Sequence, residues 1–329
     1  MRCNRIVHAL LIAVLGVGAI GPLCAQEQKY PSRPIKMVVP TTPGGGVDAV
    51  ARLVALHVGA KFAQQIPVEN VSGAAQQIGT NAVVRAAADG YTVLFAPPTP
   101  ITIAEHFEPK PPYDARNDLA TAGMIGRNPG LIVINAAVSA NTLGEFIALA
   151  KANPKKYFYG SPGQGHAFHL ITELFAREAG IELTHVPYKG SGPAVVGLIA
   201  GDVQFAVQSA EAVKEHLRGG RVRALATLES NRLDGFPAVP TLPQSGLSNL
   251  NVVNWYGVFL PAKTPRGIIE SWERELLALP KDDAFTQKMK AMNFDPVAIG
   301  AIEFTRMLND ERKQWQSVVK AAGIGTQKN

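Results

Sequence analysis

Residues 35–53 read Ile35-Lys-Met-Val-Val39, Pro40, then Thr41-Thr-Pro-Gly-Gly-Gly-Val-Asp48-Ala-Val-Ala-Arg-Leu53. The short apolar run predicts a buried strand. Beyond the glycines, Val50, Leu53, Val54 and Val58 fall on one helical face, which predicts a helix. Three consecutive glycines between a strand and a helix cost backbone entropy. They imply a tight turn or the close approach of a ligand to the main chain. A helix N-terminus offers unpaired N–H groups and a partial positive charge, so a glycine-rich strand-to-helix turn can receive an anion.

The same design recurs twice. Tyr157–Tyr159 leads through Gly160-Ser-Pro-Gly-Gln-Gly165 into a helix over Ala167–Ala179, with Gly180 as its stop signal. Leu183–Val186 leads through Pro187-Tyr-Lys-Gly-Ser-Gly-Pro193 into a helix over Ala194–Ala200. Any such turn can be glycine-rich for structural reasons alone, but three in one chain point to an anion-holding cleft. Between them lie a helix over Ala74–Ala88, a strand Tyr91–Phe95 that runs into Pro97-Pro-Thr-Pro100, and a strand Leu131–Asn135. Thr142-Leu-Gly-Glu145 forms a capping box for the helix to Ala152. Strands are expected at Phe205–Val207, Val222–Leu228 and Val252–Leu260, with closing helices over 265–279, 283–292 and 302–321. Alternating strands and helices predict an α/β fold with mainly parallel sheets. Apolar connectors near 123–135 and 246–260 divide it into two lobes: 26–127 with 248–329, and 128–247.

Composition narrows the class. The 329 residues are 47% hydrophobic and 18% charged, which supports a real core and fits neither a disordered chain nor a polytopic membrane protein. Basic Met1–Arg5, uncharged Ile6–Leu23 and small Ala25 follow the pattern of a secretory signal peptide over 1–25. The rival reading is an uncleaved anchor, because the apolar run is about 18 residues. Processing removes both cysteines, Cys3 and Cys24, leaving no disulfide, thiolate metal site or cysteine nucleophile. It also removes Arg2 and Arg5, lowering the formal charge from +6 to +4. Lys155-Lys156 and Arg221-Val-Arg223 are too short for a nucleic-acid footprint. Gly16-Val-Gly-Ala-Ile-Gly21 matches a dinucleotide fingerprint but lies inside the leader, without a preceding strand.

Catalytic patterns are weak. Ser161 lacks the nucleophile-elbow frame, since residue 159 is Tyr. His166 and His169 could share a helix face, but no third zinc ligand follows at recognisable spacing. His169 reads as a packed or capped helix histidine, whereas His166, inside the glycine loop, is the better candidate for ligand contact. Asp48 can cap its helix, face the cleft, or do both. No cofactor is indicated.

Tyr30-Pro-Ser-Arg-Pro-Ile35, Pro43-Gly-Gly-Gly-Val-Asp48, Gly160–Gly165, His185-Val-Pro-Tyr-Lys-Gly-Ser191 and Trp255-Tyr-Gly257 occur in the order seen in the Bug family. Over residues 29–324 the sequence resembles these extracytoplasmic solute receptors of tripartite tricarboxylate transporters. The resemblance implies a two-lobed Venus-flytrap binding protein of the periplasm. Its ligand would be a small carboxylate, its partner the membrane permease subunits, and its state a monomer. A sensor that signals to a membrane receptor is the alternative. The loops matching Thr41–Asp48 and Ser161–Ala167 would clamp the carboxylate from opposite lobes through backbone groups and water. The implied ligand-binding residues are Thr41, Thr42, Gly44, Gly45, Gly46 and Asp48; Pro98 and Thr99; Ser161, Gly163, Gln164, Gly165, His166 and Ala167; and Tyr188 and Gln208. The sequence departs from the family at Thr41-Thr42, at His166-Ala-Phe168, and at Gln208, where Asp often stands, with Glu211 nearby. These departures favour a dicarboxylate or aromatic acid over an amino acid.

Overall fold

The computed structural model describes residues 30–229, 231–247 and 254–322. The expected leader lies outside these residues, as does most of the second connector. In chain order the elements are β1 (Lys36–Val39), α1 (Gly46–Phe62), β2 (Val68–Asn70), α2 (Gln77–Val84), β3 (Thr92–Ala96), α3 (Ala115–Asp118), β4 (Leu119–Arg127), β5 (Gly130–Asn135), α4 (Leu143–Ala152), β6 (Phe158–Ser161) and α5 (Ala167–Ala179). They continue with β7 (Thr184–Pro187), α6 (Ser191–Ala200), β8 (Phe205–Ser209), α7 (Ala210–Arg218), β9 (Val222–Thr227), β10 (Trp255–Pro261), α8 (Arg266–Ala278), α9 (Asp283–Ala291), β11 (Asp295–Gly300) and α10 (Ala301–Ala322).

The strands form two sheets. One has six strands in the order β11-β4-β10-β3-β1-β2, the other five in the order β7-β6-β8-β5-β9. The expected α/β class holds, but both sheets are mixed rather than mainly parallel. Parallel pairing is confined to β1 with β2 and β3, and to β6 with β7 and β8. Strands β4, β5, β10 and β11 pair antiparallel. The cause is the crossover: the chain leaves the first sheet along β4, enters the second at β5 and returns along β10.

Each sheet is covered on both faces. Val50, Val54 and Val58 of α1 pack with Trp272 and Leu276 of α8 and Phe285 of α9 on one face of the six-stranded sheet. Trp255, Phe259, Phe304 and Leu308 fill the other. The five-stranded sheet carries α4 and α5 on one face, and α6 and α7 on the other. Helix α10 belongs to both units. Phe304 and Leu308 pack on the first sheet, whereas Trp315, Val318 and Val319 are buried in the second sheet's core. Its 22 residues are long enough to bridge the two cores.

Local sequence signals explain most boundaries. Thr142 Oγ1 accepts from Glu145 N–H at 3.2 Å, and Glu145 Oε2 accepts from Asn141 N–H at 2.7 Å, closing the capping box. Gly180 ends α5 in the left-handed conformation at φ 63°. The helix expected over Ala74–Ala88 is shorter because Ala74, Ala75 and Gln76 all have positive φ, which delays its start to Gln77.

Candidate functional site

Three glycine-rich turns stand at the carboxyl ends of β1, β6 and β7, where ligands bind in open α/β sheets. In the first turn, Gly44 has φ +85°, a conformation that disfavours any side chain. A Cβ on Gly46 would sit 2.7 Å from Phe294 Cζ and 3.5 Å from Glu211 Oε2. Glu211 lies in the first turn of α7, so this loop of the first sheet directly abuts the second unit. Gly45 is different. Its backbone is extended, and open space lies where its Cβ would be.

Asp48 is the brace of this loop. It is buried and accepts from Gly44 N–H, Arg52 Nε and Asn70 Nδ2, each at 3.0 Å. Asn70 Nδ2 also donates to Thr41 C=O at 3.2 Å, tying the start of the loop to the same group. Burial by itself would raise the Asp48 carboxyl. The hydrogen bonds from Arg52, Gly44 and Asn70, with the guanidinium charge, outweigh it and hold the pKa below the usual carboxylate range. Asp48 is not itself the N-cap, which is Gly45; it lies in the first turn of α1 and accepts from the N–H of Gly44 just before the helix. The carboxylate's acceptor capacity is spent within the loop. The first-turn N–H groups of Gly46 and Val47 have no acceptor within the helix, and Thr41 Oγ1 is buried without a partner.

The second turn is braced from below by rings. Ser161 is fully buried, and its Oγ lies 2.6 Å from His185 Nε2. The His185 ring stacks on His169 at 4.0 Å and on Tyr159 at 4.8 Å between centroids. Tyr159 in turn donates to Glu173. His169 Nδ1 accepts from Gly165 N–H at 3.1 Å, and His166 Nδ1 accepts from Phe168 N–H at 3.2 Å as the cap of α5. Desolvation keeps all three imidazoles neutral, pulling His166 and His185 down to about 4. His169 falls to about 3, through desolvation first and then repulsion from the other two. His169 is thus the packed histidine expected. His166 caps its helix with Nδ1 and keeps part of its surface open. Gly163 N–H is taken by Ser161 Oγ at 3.2 Å. The Ser161–His185 contact resembles a nucleophile–base pair, but Ser161 is sealed from solvent, and the contact holds the loop.

The remaining sequence candidates divide. Pro98 and Thr99 are buried at the end of β3, with the Pro98 carbonyl accepting from Thr102 N–H at 2.9 Å and Ile101 N–H at 3.0 Å. That segment continues to Phe107, whose ring lies 3.5 Å from where a Cβ on Gly165 would be, so it reaches the second glycine loop. Tyr188 packs between the second glycine turn and α6: its ring covers Gly160, and its hydroxyl lies over Gly197 in the middle of α6. Gln208 stands at the carboxyl end of β8, opposite Leu131, fully buried, with neither Oε1 nor Nε2 hydrogen-bonded. Exposed Thr42 and Gln164 edge the two loops, and buried Ala167 starts α5.

Sequence reasoning missed Phe294 and Phe107, which shape the two glycine loops from other elements, and Asn128. Asn128 is buried at the crossover, donates to Tyr256 Oη at 2.9 Å and has an unpartnered Oδ1. No local pattern marks any of the three, because each acts through a contact distant in sequence. Among the described residues no group of three or more metal-ligating side chains occurs, and no helix is long and apolar enough to cross a membrane.

Comparison with known proteins bears on this geometry. Residues 50–324 match the tripartite tricarboxylate transporter family receptor. The chain is 35% identical to the protein BugT of Bordetella pertussis over 324 residues, covering 98% of this chain and 99% of that one. An R. palustris protein solved with adipate superposes with a TM-score of 0.82 at 30% identity, covering 90% of this chain and 99% of its own. MatC from Rhodopseudomonas palustris with bound malate gives a TM-score of 0.76 at 25% identity, covering 88% and 100%. The matched family is one of substrate-binding receptors, not of enzymes. A chain built on two mixed sheets, with braced glycine loops at the strand ends and this extent of similarity, belongs to the Bug-type receptors of the tripartite tricarboxylate transporter family.

Proposed function

We propose that this receptor captures a small organic acid without an ammonium group between its two units and delivers it to the membrane permease of a tripartite transporter. The dicarboxylates and aromatic acids favoured by the sequence belong to that class. The observation that carries the reading is the first glycine loop. It is held rigid by Asp48, left open over Gly45, and pressed against Glu211 of the second unit. The N–H groups of Gly45, Gly46 and Val47 receive the carboxylate, with Thr41, Thr42 and the edge of Ser161–Ala167 closing over it. Charge-assisted hydrogen bonds of this kind contribute about 1.5–3 kcal/mol each. Adipate and malate in the similar structures support an acid as ligand. The proposed units are 26–127 with 248–329, and 128–247, joined at 128–129 and by the return before β10. Ligand then shifts an open–closed equilibrium by its differential affinity for the closed form. We assign the protein to the periplasm as a monomer, released by cleavage of 1–25.

A thermal-shift screen against dicarboxylates, tricarboxylates, aromatic acids, amino acids and neutral sugars tests this. A ligand at 100 times its Kd adds about 2.7 kcal/mol of stability. An acid that raises Tm in the wild type and fails with Asp48→Ala supports the clamp. Stabilisation by sugars alone overturns it, and stabilisation by amino acids alone overturns the exclusion of an ammonium group.

A further inference from the structure

A cavity lies at the crossover, apart from the glycine-rich turns. Its volume is about 270 Å³, just under the roughly 300–1,000 Å³ of drug-sized ligand pockets, so it suits a small molecule. One wall comes from the ends of β4 and α9 and the start of β11, the other from the segment that follows β9. The two walls meet at Gly235, where a Cβ would lie 3.1 Å from Asn293 Oδ1. No residue of the three glycine-rich turns lines it.

The lining carries both signs of charge. Arg127, Glu229 and Asp295 are largely buried in it, whereas Lys290, Arg232 and Asp234 are exposed at its rim. Arg127 Nε and Glu229 Oε1 are buried without a hydrogen-bond partner, and among the described residues neither side chain joins an ion pair. Buried charges are ordinarily paired, because desolvation is costly for each one alone. Burial pushes the Glu229 carboxyl up to about 7, with Arg127 opposing the rise and Asp295 adding to it. A cationic nitrogen beside Glu229 would favour its charged form, and a carboxylate would match the planar fork of Arg127. An anion alone would meet Glu229 and Asp295, and a cation alone would meet Arg127. A molecule that carries both charges satisfies both walls. Phe236 and Phe294 offer its body an apolar surface.

We propose that this cavity is a second binding site, for an α-amino acid with an apolar side chain, whose carboxylate pairs with Arg127 and whose ammonium group pairs with Glu229. It is separate from the acid clamp of the glycine loops and does not rest on that reading.

The test is isothermal calorimetry on the purified receptor with L-phenylalanine and L-leucine. N-acetylphenylalanine keeps the carboxylate alone, and phenylalaninamide keeps the ammonium alone. At least one amino acid is expected to bind, and each single-charge analogue at least about tenfold more weakly, a difference of about 1.4 kcal/mol. Glu229→Gln, which conserves shape, and Arg127→Gln as a second variant should each weaken the amino acid by a similar factor. Asp48→Ala, at the first glycine loop, should leave it unchanged. Circular dichroism confirms that each variant is folded. Absence of amino-acid binding overturns the proposal, as does an analogue that binds as tightly as its parent. Binding that survives both cavity variants, or that is lost with Asp48→Ala, places the amino acid at the glycine loop and overturns it as well.

Discussion

Asp48 concentrates more of the proposed site's order than any neighbouring residue. Its carboxylate gathers Gly44, Arg52 and Asn70, and through Asn70 it reaches Thr41. Arg52 is half exposed and stays hydrated if Asp48 is lost, so Asp48→Ala should cost only about 1–3 kcal/mol, read as a lowered Tm. Because the folded pKa is depressed, this stabilisation is present above the unfolded value near 4 and is lost as pH falls through the folded value. Asp48→Asn should therefore flatten the Tm profile below about pH 4 relative to wild type. Gly46 is limited by space rather than conformation. Gly46→Ala would drive a methyl into Phe294, so it should cost about 1–3 kcal/mol and weaken acid binding. Gly45→Ala meets open space, so it should leave Tm nearly unchanged and lower affinity alone. Equal loss of stability in the two variants would sink that distinction.

At the scale of elements, the second glycine loop depends on the rings beneath it. His166, His169 and His185 are held neutral, with pKa values well below the usual 6.5. A base whose pKa is depressed by folding contributes stability that is present above its unfolded value and is lost as pH falls toward the folded one. Tm should drop between about pH 6.5 and 4, and His169→Asn should reduce the slope in that window. Glu311 of α10 behaves oppositely. Burial raises its carboxyl to about 7, against lowering by hydrogen bonds from the Trp255 and Trp315 indoles, at 2.8 and 3.1 Å. A raised acid favours the protonated fold, so its contribution declines from about pH 4.5 to 7. Tryptophan emission should titrate near pH 7 as Glu311 ionises, and Glu311→Gln should abolish that titration. Trp272, bonded to Tyr30 Oη at 2.9 Å, would keep its signal throughout.

At the scale of the molecule, the two sheets are joined by crossing strands and by α10, which ends in the core of the second sheet. Trp315 is fully buried there with Val318 and Val319. Trp315→Ala should cost about 3–5 kcal/mol. The loss falls on the second sheet, so calorimetry should resolve two unfolding transitions where the wild type shows one. A single, uniformly lowered transition would mean that the two units unfold as one body regardless of α10. Ile103 and Phe107, from the segment after β3, pack into the same core. The segment that carries Pro98 and Thr99 is thus part of the contact between the two cores.

The division between sequence and tertiary structure follows contact range. The strand-glycine-helix turns, the capping box at Thr142–Glu145 and the Gly180 stop were legible because each is set by residues within a few positions. So was the α/β class, since alternation is a local period. The family followed from motifs in order along the chain. Short β2, strand β11 and the antiparallel pairings were not legible, because which strands pair is decided by how the crossover places them, not by their apolar content. The same limit governed the proposed site. The sequence selected Asp48 and Gln208, but only packing spent one carboxylate on its own loop and left the other side chain's amide unpaired. Likewise Tyr188, from a loop of the expected kind, turns its hydroxyl toward Gly197, because the open face of that glycine accepts the ring.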